Sequence, residues 1–168
     1  MDPDLAEKIL GEWLAQKGFW IATAESCTGG LIANRLTNIP GSSGYFLGGV
    51  VSYANQAKMQ WLGVKTETLA VYGAVSRQTV EEMALGLAQN LREICPPSRL
   101  LTVAVSGIAG PEGGSAEKPV GTVWIAWSFN SLLRAEVFHF QGERLAIKNQ
   151  SADQALYGAL QWMQGLLE

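Results

Sequence analysis

The sequence predicts an α/β fold in which a mixed β-sheet is covered by helices on both faces. Three observations point there. Short apolar, β-branched runs of strand length occur early, midway and late in the chain; segments with helical spacing lie between them; and glycine-rich turns separate the two kinds. A chain of 168 residues, 48% hydrophobic and 16% charged, can bury one sizeable core but hardly two, so a single domain over residues 1–168 is expected.

The elements follow in order. Asp2 is a candidate cap with Pro3 at the first helical position, and Leu5, Ile9, Trp13 and Leu14 share one face of an amphipathic helix that Gly18 ends. Residues 19–24 read as a short buried strand, and 31–36 as a helix opening behind Gly29-Gly30. After the turn residues 40–44, the β-branched and aromatic run 45–53 reads as a strand and 55–62 as a helix. Ser76 is an N-cap for a helix that spaces Val80, Met83, Ala84, Leu87 and Leu91 at i, i+3, i+4 and i+7 until Pro96-Pro97. Strands are expected over 100–106, 122–129 and 132–140, the last two joined as a hairpin at Asn130-Ser131. A final helix, 144–167, puts Ala152, Ala155, Leu156, Ala159, Leu160 and Met163 on one side.

Composition narrows the function. No run approaches the roughly 20 apolar residues of a membrane span, and the acidic start with Asp2, Asp4 and Glu7 is unlike a signal peptide, so a cytoplasmic protein without membrane contact is expected. Cys27 and Cys95 read as reduced thiols; with one histidine, no cluster has metal-ligand spacing, and neither metal nor cofactor is expected. A net charge of −3 without a basic run speaks against nucleic acid and for a small-molecule partner.

Three segments gather reactive side chains at element ends. In Ala24-Glu25-Ser26-Cys27-Thr28-Gly29-Gly30, a hydroxyl stands beside amides at a helix start, where a developing oxyanion is stabilised; Cys27 is an alternative nucleophile. Tyr53 closes one strand and Lys58 lies a turn into the next helix, within reach of a common pocket, where a partly buried lysine can take a serine's proton. The third segment, 106–121, is a glycine-rich loop able to form an anion nest, but it lacks the Gly-Lys-Ser/Thr of a P-loop. Ser115 and Lys118 match a serine-x-x-lysine spacing that requires a helix, against which Pro119 argues; His139, in a strand, is the one histidine available as a base.

Taken together, Ala24 to Gly30, Tyr53-Ala54-Asn55 with Lys58, Gly73-Ala74-Val75-Ser76, and Ser106-Gly107-Ile108-Ala109-Gly110-Pro111 with Lys118-Pro119-Val120-Gly121 resemble the CinA C-terminal domain, or PncC, family, from about Leu5 onward. The resemblance implies a three-layer α/β/α sandwich and nicotinamide-nucleotide amidase activity, with nicotinamide mononucleotide and water giving nicotinic acid mononucleotide and ammonia. It implies Ser26 as nucleophile, Lys58 as base and Tyr53 assisting them. Substrate contacts would come from Thr28, Gly29 and Gly30, from Gly107, Ala109 and Gly110, and from Arg144 as phosphate fork. A homodimer fits the family, and the chain resembles its stand-alone form, without the nucleotide-pyrophosphatase domain that precedes it in many members. A catalytically idle nucleotide-binding domain is the competing reading. Two positions depart from the family pattern: Glu143 stands where aspartate is common and Arg77 where glutamate is frequent.

Overall fold

The computed structural model describes residues 3–168, which leaves the Asp2 cap, and the side chain of Leu5, outside the described part. The elements are α1 (Pro3–Lys17), β1 (Trp20–Glu25), α2 (Leu31–Thr37), β2 (Phe46–Val51), α3 (Asn55–Leu62), α4 (Thr66–Tyr72), α5 (Arg77–Leu91), β3 (Leu100–Gly107), β4 (Thr122–Phe129), β5 (Leu132–His139) and α6 (Arg144–Leu167). The sheet order is β2-β1-β3-β4-β5. β1 runs parallel to both neighbours, in register from Trp20 opposite Leu100 to Glu25 opposite Val105 on the β3 side, while β4 and β5 add antiparallel strands. With α1, α2 and α6 on one face and α3, α4 and α5 on the other, the fold is a three-layer α/β/α sandwich with a mixed sheet.

Strand alternation sorts side chains by size. Leu101, Val103 and Val105 of β3 and Val123, Ile125 and Trp127 of β4 face α1 and α6, where Leu10, Leu14, Leu156 and Met163 meet them. The opposite face carries Ala22, Ala24, Ala104 and Ala126, so α5 lies close against the strands, and Thr102 Oγ1 donates to the Ala84 carbonyl at 2.8 Å. Trp127 is fully buried because Gly158 leaves its ring room against α6 and the Ala155 carbonyl accepts from its indole Nε1 at 2.9 Å.

Several expectations shift. The buried stripe of α1 runs through Ala6, Leu10 and Leu14, with Ile9 and Trp13 only partly covered. β1 starts and ends one residue later than expected, because Glu25 still pairs with Val51 of β2 and Val105 of β3. β2 stops at Val51, so Ser52 and Tyr53 leave the sheet. The short α4 was not anticipated; its Thr68 hydroxyl donates to Glu82 of α5 at 2.7 Å, a tertiary tie without sequence periodicity. At the β4–β5 turn Asn130 and Ser131 both take positive φ, 48° and 68°, the mirror-image turn that suits twisted hairpins.

Candidate active site

The parallel strands β1, β2 and β3 end on the same edge of the sheet, the side on which open α/β sheets collect ligands. There a cavity of about 270 Å³ is lined by Ser26 and Cys27 after β1, Tyr53, Asn55 and Lys58 after β2, and the loop after β3, with Arg144 of α6 at its side. A larger cleft, about 520 Å³, opens at the other end of the sheet among Leu62, Leu85, Pro97 and Asn130, and holds no nucleophile paired with a base.

Ser26 has left the sheet but its amide still donates to the Val105 carbonyl at 3.0 Å, which fixes the residue against β3. Its hydroxyl lies 2.9 Å from Lys58 Nζ. Lys58 is 1% exposed, an unusual place for an ammonium. Nζ donates to the Ser52 carbonyl at 2.7 Å and to the Tyr53 carbonyl at 3.1 Å, so the exit of both residues from β2 builds the amine's seat. Burial pushes the Lys58 pKa below its usual 10.5. A neutral amine has two hydrogens and one lone pair. Two carbonyls take the hydrogens, and the lone pair is left for the Ser26 hydroxyl.

Cys27 is a poor rival. It is 5% exposed, and burial drives its thiol pKa up to about 12, so it remains a thiol at neutral pH.

The other expected site residues divide. Tyr53 meets the pair only through its main-chain carbonyl; its side chain is 59% exposed, and its hydroxyl accepts from Arg144 Nη2 at 2.8 Å. The second fork of Arg144 donates to the Gly110 carbonyl at 2.6 Å, making a latch across the rim from Tyr53 to the loop. Gly107, Ala109 and Gly110 line the cavity, and a side chain at Gly107 would strike Val123. Thr28, Gly29 and Gly30 do not line it. Gly29 and Gly30 take φ of 62° and 98° to turn the chain into α2, and the Gly29 amide is spent on the Ser26 carbonyl at 3.0 Å. The amides of Cys27, Thr28 and Gly30 take no main-chain acceptor among the described residues, and of these three residues only Cys27 lines the cavity.

The remaining candidates lie elsewhere. Ser115 and Lys118 form a turn, with the Lys118 amide donating to Ser115 Oγ at 3.0 Å and Nζ reaching the Tyr72 carbonyl. His139 sits on β5 opposite Thr122, away from the cavity lining. Arg77 pairs with Glu81 along α5 at 2.8 Å, outside the cavity. Among the described residues no three His, Cys, Asp or Glu side chains are grouped to hold a metal, and no helix is long and apolar enough to cross a membrane.

Reading by motif assigned no role to Asn55, Val75, Ser106 and Glu112, which also line the cavity. Ser106 Oγ donates to the Ala74 carbonyl at 2.8 Å, bringing the Gly73 to Ser76 segment in as a wall. That segment's small residues were the available signal.

Residues 4–163 match the family model described as CinA C-terminal domain. The chain is 49% identical over 153 residues to the Nicotinamide-nucleotide amidohydrolase PncC of Enterobacter agglomerans, covering 90% of this chain and 89% of that protein. It is 47% identical over 154 residues to a CinA-like protein of Chloroherpeton thalassium, covering 89% of this chain but only 35% of the relative. It likewise spans 36% of a Moorella thermoacetica relative named for competence damage. Among solved structures, the competence/damage inducible protein CihA of Agrobacterium tumefaciens superposes with a TM-score of 0.87 at 40% identity, covering 100% of this chain and 97% of that one. The competence damage-inducible protein A of Klebsiella pneumoniae superposes with a TM-score of 0.89 at 32% identity, covering 98% of each chain.

Proposed function

Since the chain belongs to the CinA C-terminal domain family, we propose that it is a nicotinamide-nucleotide amidase working through a Ser26–Lys58 dyad. The observation that carries the reading is the seat of Lys58: a buried amine with two main-chain acceptors and the Ser26 hydroxyl 2.9 Å away. The Enterobacter relative's name supplies the substrate class.

Neutral Lys58 takes the Ser26 proton as the oxygen attacks the carboxamide carbon of nicotinamide mononucleotide. A C–O bond forms, the carbonyl π pair moves onto oxygen, and the Cys27 amide receives the oxyanion. When the intermediate collapses, the C–N bond breaks and the Lys58 ammonium returns its proton to the leaving nitrogen, releasing ammonia and an acyl-enzyme. Lys58, neutral again, deprotonates a water that attacks the ester; nicotinic acid mononucleotide leaves and Ser26 regains its proton. The Arg144 fork at the rim receives the phosphate, exchanging its bonds to Tyr53 and Gly110 for charge-assisted ones. Tyr53 acts here by holding Arg144, and the carbonyl of the same residue helps seat Lys58.

The test is ammonia release from nicotinamide mononucleotide by the wild type, Ser26→Ala and Lys58→Ala. Release by the wild type, reduced on the order of 10³-fold or more in both variants, is expected. A wild-type protein whose melting temperature rises with the nucleotide while no ammonia appears would instead be a binding domain.

A further inference from the structure

The Glu25 carboxylate adjoins the nucleophile and takes no part in the steps above. It is 1% exposed, where an ionised group survives only if its lone pairs are met. They are met: Oε1 accepts from Thr28 Oγ1 at 2.7 Å and from the Ile32 amide at 2.9 Å, and Oε2 accepts from the Ala33 amide at 3.0 Å and, more distantly, from Thr23 Oγ1 at 3.4 Å. Its own carbonyl accepts from the Ser52 amide at 2.9 Å, at the start of the segment that seats Lys58. One side chain thus joins the end of β1, the middle of the turn 26–30 and the first turn of α2. α2 has no side-chain cap at Gly30, and Glu25 supplies the missing acceptors from seven and eight residues upstream.

From this we infer that Glu25 is a positioning residue for the dyad, a reading that rests on the Ser26–Lys58 proposal. By drawing Thr28 and the opening amides of α2 onto one carboxylate, it holds the turn in the shape that presents the Cys27 amide, which has no main-chain acceptor and lines the cavity, to the oxyanion. Only a carboxylate suits the place. Hydroxyl and amide donors converge on both oxygens, so a glutamine would turn its own NH2 toward a donor and release one side of the turn. The donor geometry of an oxyanion site counts directly in rate, so a loosened turn costs turnover before it costs ligand binding.

The experiment compares wild type, Glu25→Gln and Thr28→Val by two readouts at a temperature where circular dichroism shows each folded. One is kcat and KM for ammonia release across pH; the other is the rate at which an alkyl fluorophosphonate modifies Ser26, with the serine oxygen bonding to phosphorus and fluoride leaving. For Glu25→Gln, kcat and the labelling rate should each fall about 10- to 100-fold, with KM within about threefold and the pH midpoint unmoved. Thr28→Val should change in the same direction by less. A Glu25→Gln protein that melts earlier but is labelled at the wild-type rate would make Glu25 a helix cap and nothing more. A displaced pH midpoint would overturn the inference differently, by showing action through the Lys58 proton. Should Glu25→Gln not fold, Thr28→Val decides, because it keeps both amide bonds to α2. Wild type that labels but releases no ammonia removes the substrate assignment while the probe still tests Glu25; wild type that does neither removes the dyad and this inference together.

Discussion

Lys58 reaches Ser26 with its hydrogens already placed on two carbonyls, and that arrangement predicts a direction with pH. Protonated, Lys58 has no lone pair for the serine; kcat/KM should therefore rise with pH through a midpoint below 10.5 and level off above it. The sign for stability agrees. In the window between the lowered folded pKa and 10.5 the unfolded chain binds more protons, so stability at this site increases with pH and is lost as pH falls through the folded value. A pH–rate profile of wild type beside Cys27→Ala checks both points: the variant should keep activity within about threefold with the same midpoint, since removing an inert thiol leaves the base untouched. A flat profile, or loss of activity with Cys27, would contradict the dyad. Some of this was legible in residue order and some was not. Motifs put Ser26 and Lys58 at neighbouring strand ends, but the seat of Lys58 depends on where β2 lets go of the sheet. Tyr53 shows the same limit: its carbonyl and hydroxyl serve different ends of the cavity. Glu25 stood within a motif but without a role, because two of its partners are main-chain amides seven and eight residues away.

At the scale of elements, legibility followed length and pattern. α3, β4 and α6 occupy the residues that periodicity and turn chemistry marked out, and α5 begins behind Ser76, whose Oγ accepts from the Thr79 amide at 3.2 Å. α4, seven residues long, was too short to show a period. What pattern could not show is how closely α3 and α5 pack. Gly86 of α5 lies against the last turn of α3, where a β-carbon would collide with the Leu62 carbonyl oxygen. Helix propensity alone favours alanine there, whereas the collision opposes it. Gly86→Ala should destabilise by about 1–3 kcal/mol, measured by chemical denaturation, and because Lys58 is on α3 it should lower kcat as well. A stabilised variant would mean that the two helices separate freely.

For the molecule as a whole, the two helical layers are fastened differently. On the α1–α2–α6 side a partly buried ion cluster joins all three helices: Arg35 of α2 meets Glu7 of α1 through Nε at 2.9 Å and Nη2 at 2.7 Å, and Asp153 of α6 through Nη1. On the α5 side, small side chains and close approach do the work. The order of strands has a consequence in time. β4 and β5 are joined by a two-residue turn, whereas β1 reaches its partner β3 across α2, β2 and all three helices of one layer, since Trp20 pairs with Leu100. Distant pairings lose more chain entropy before any contact rewards them, so the β3–β4–β5 portion should be assembled at the folding barrier and β1 added after it. In chevron measurements Ala126→Gly on β4 should mainly slow refolding, while Ala24→Gly on β1 should mainly hasten unfolding; the reverse pattern would refute this order. The strand that leads into the nucleophile would then dock late, bringing β2 with it, so a newly made chain acquires much of its shape before it acquires its chemistry.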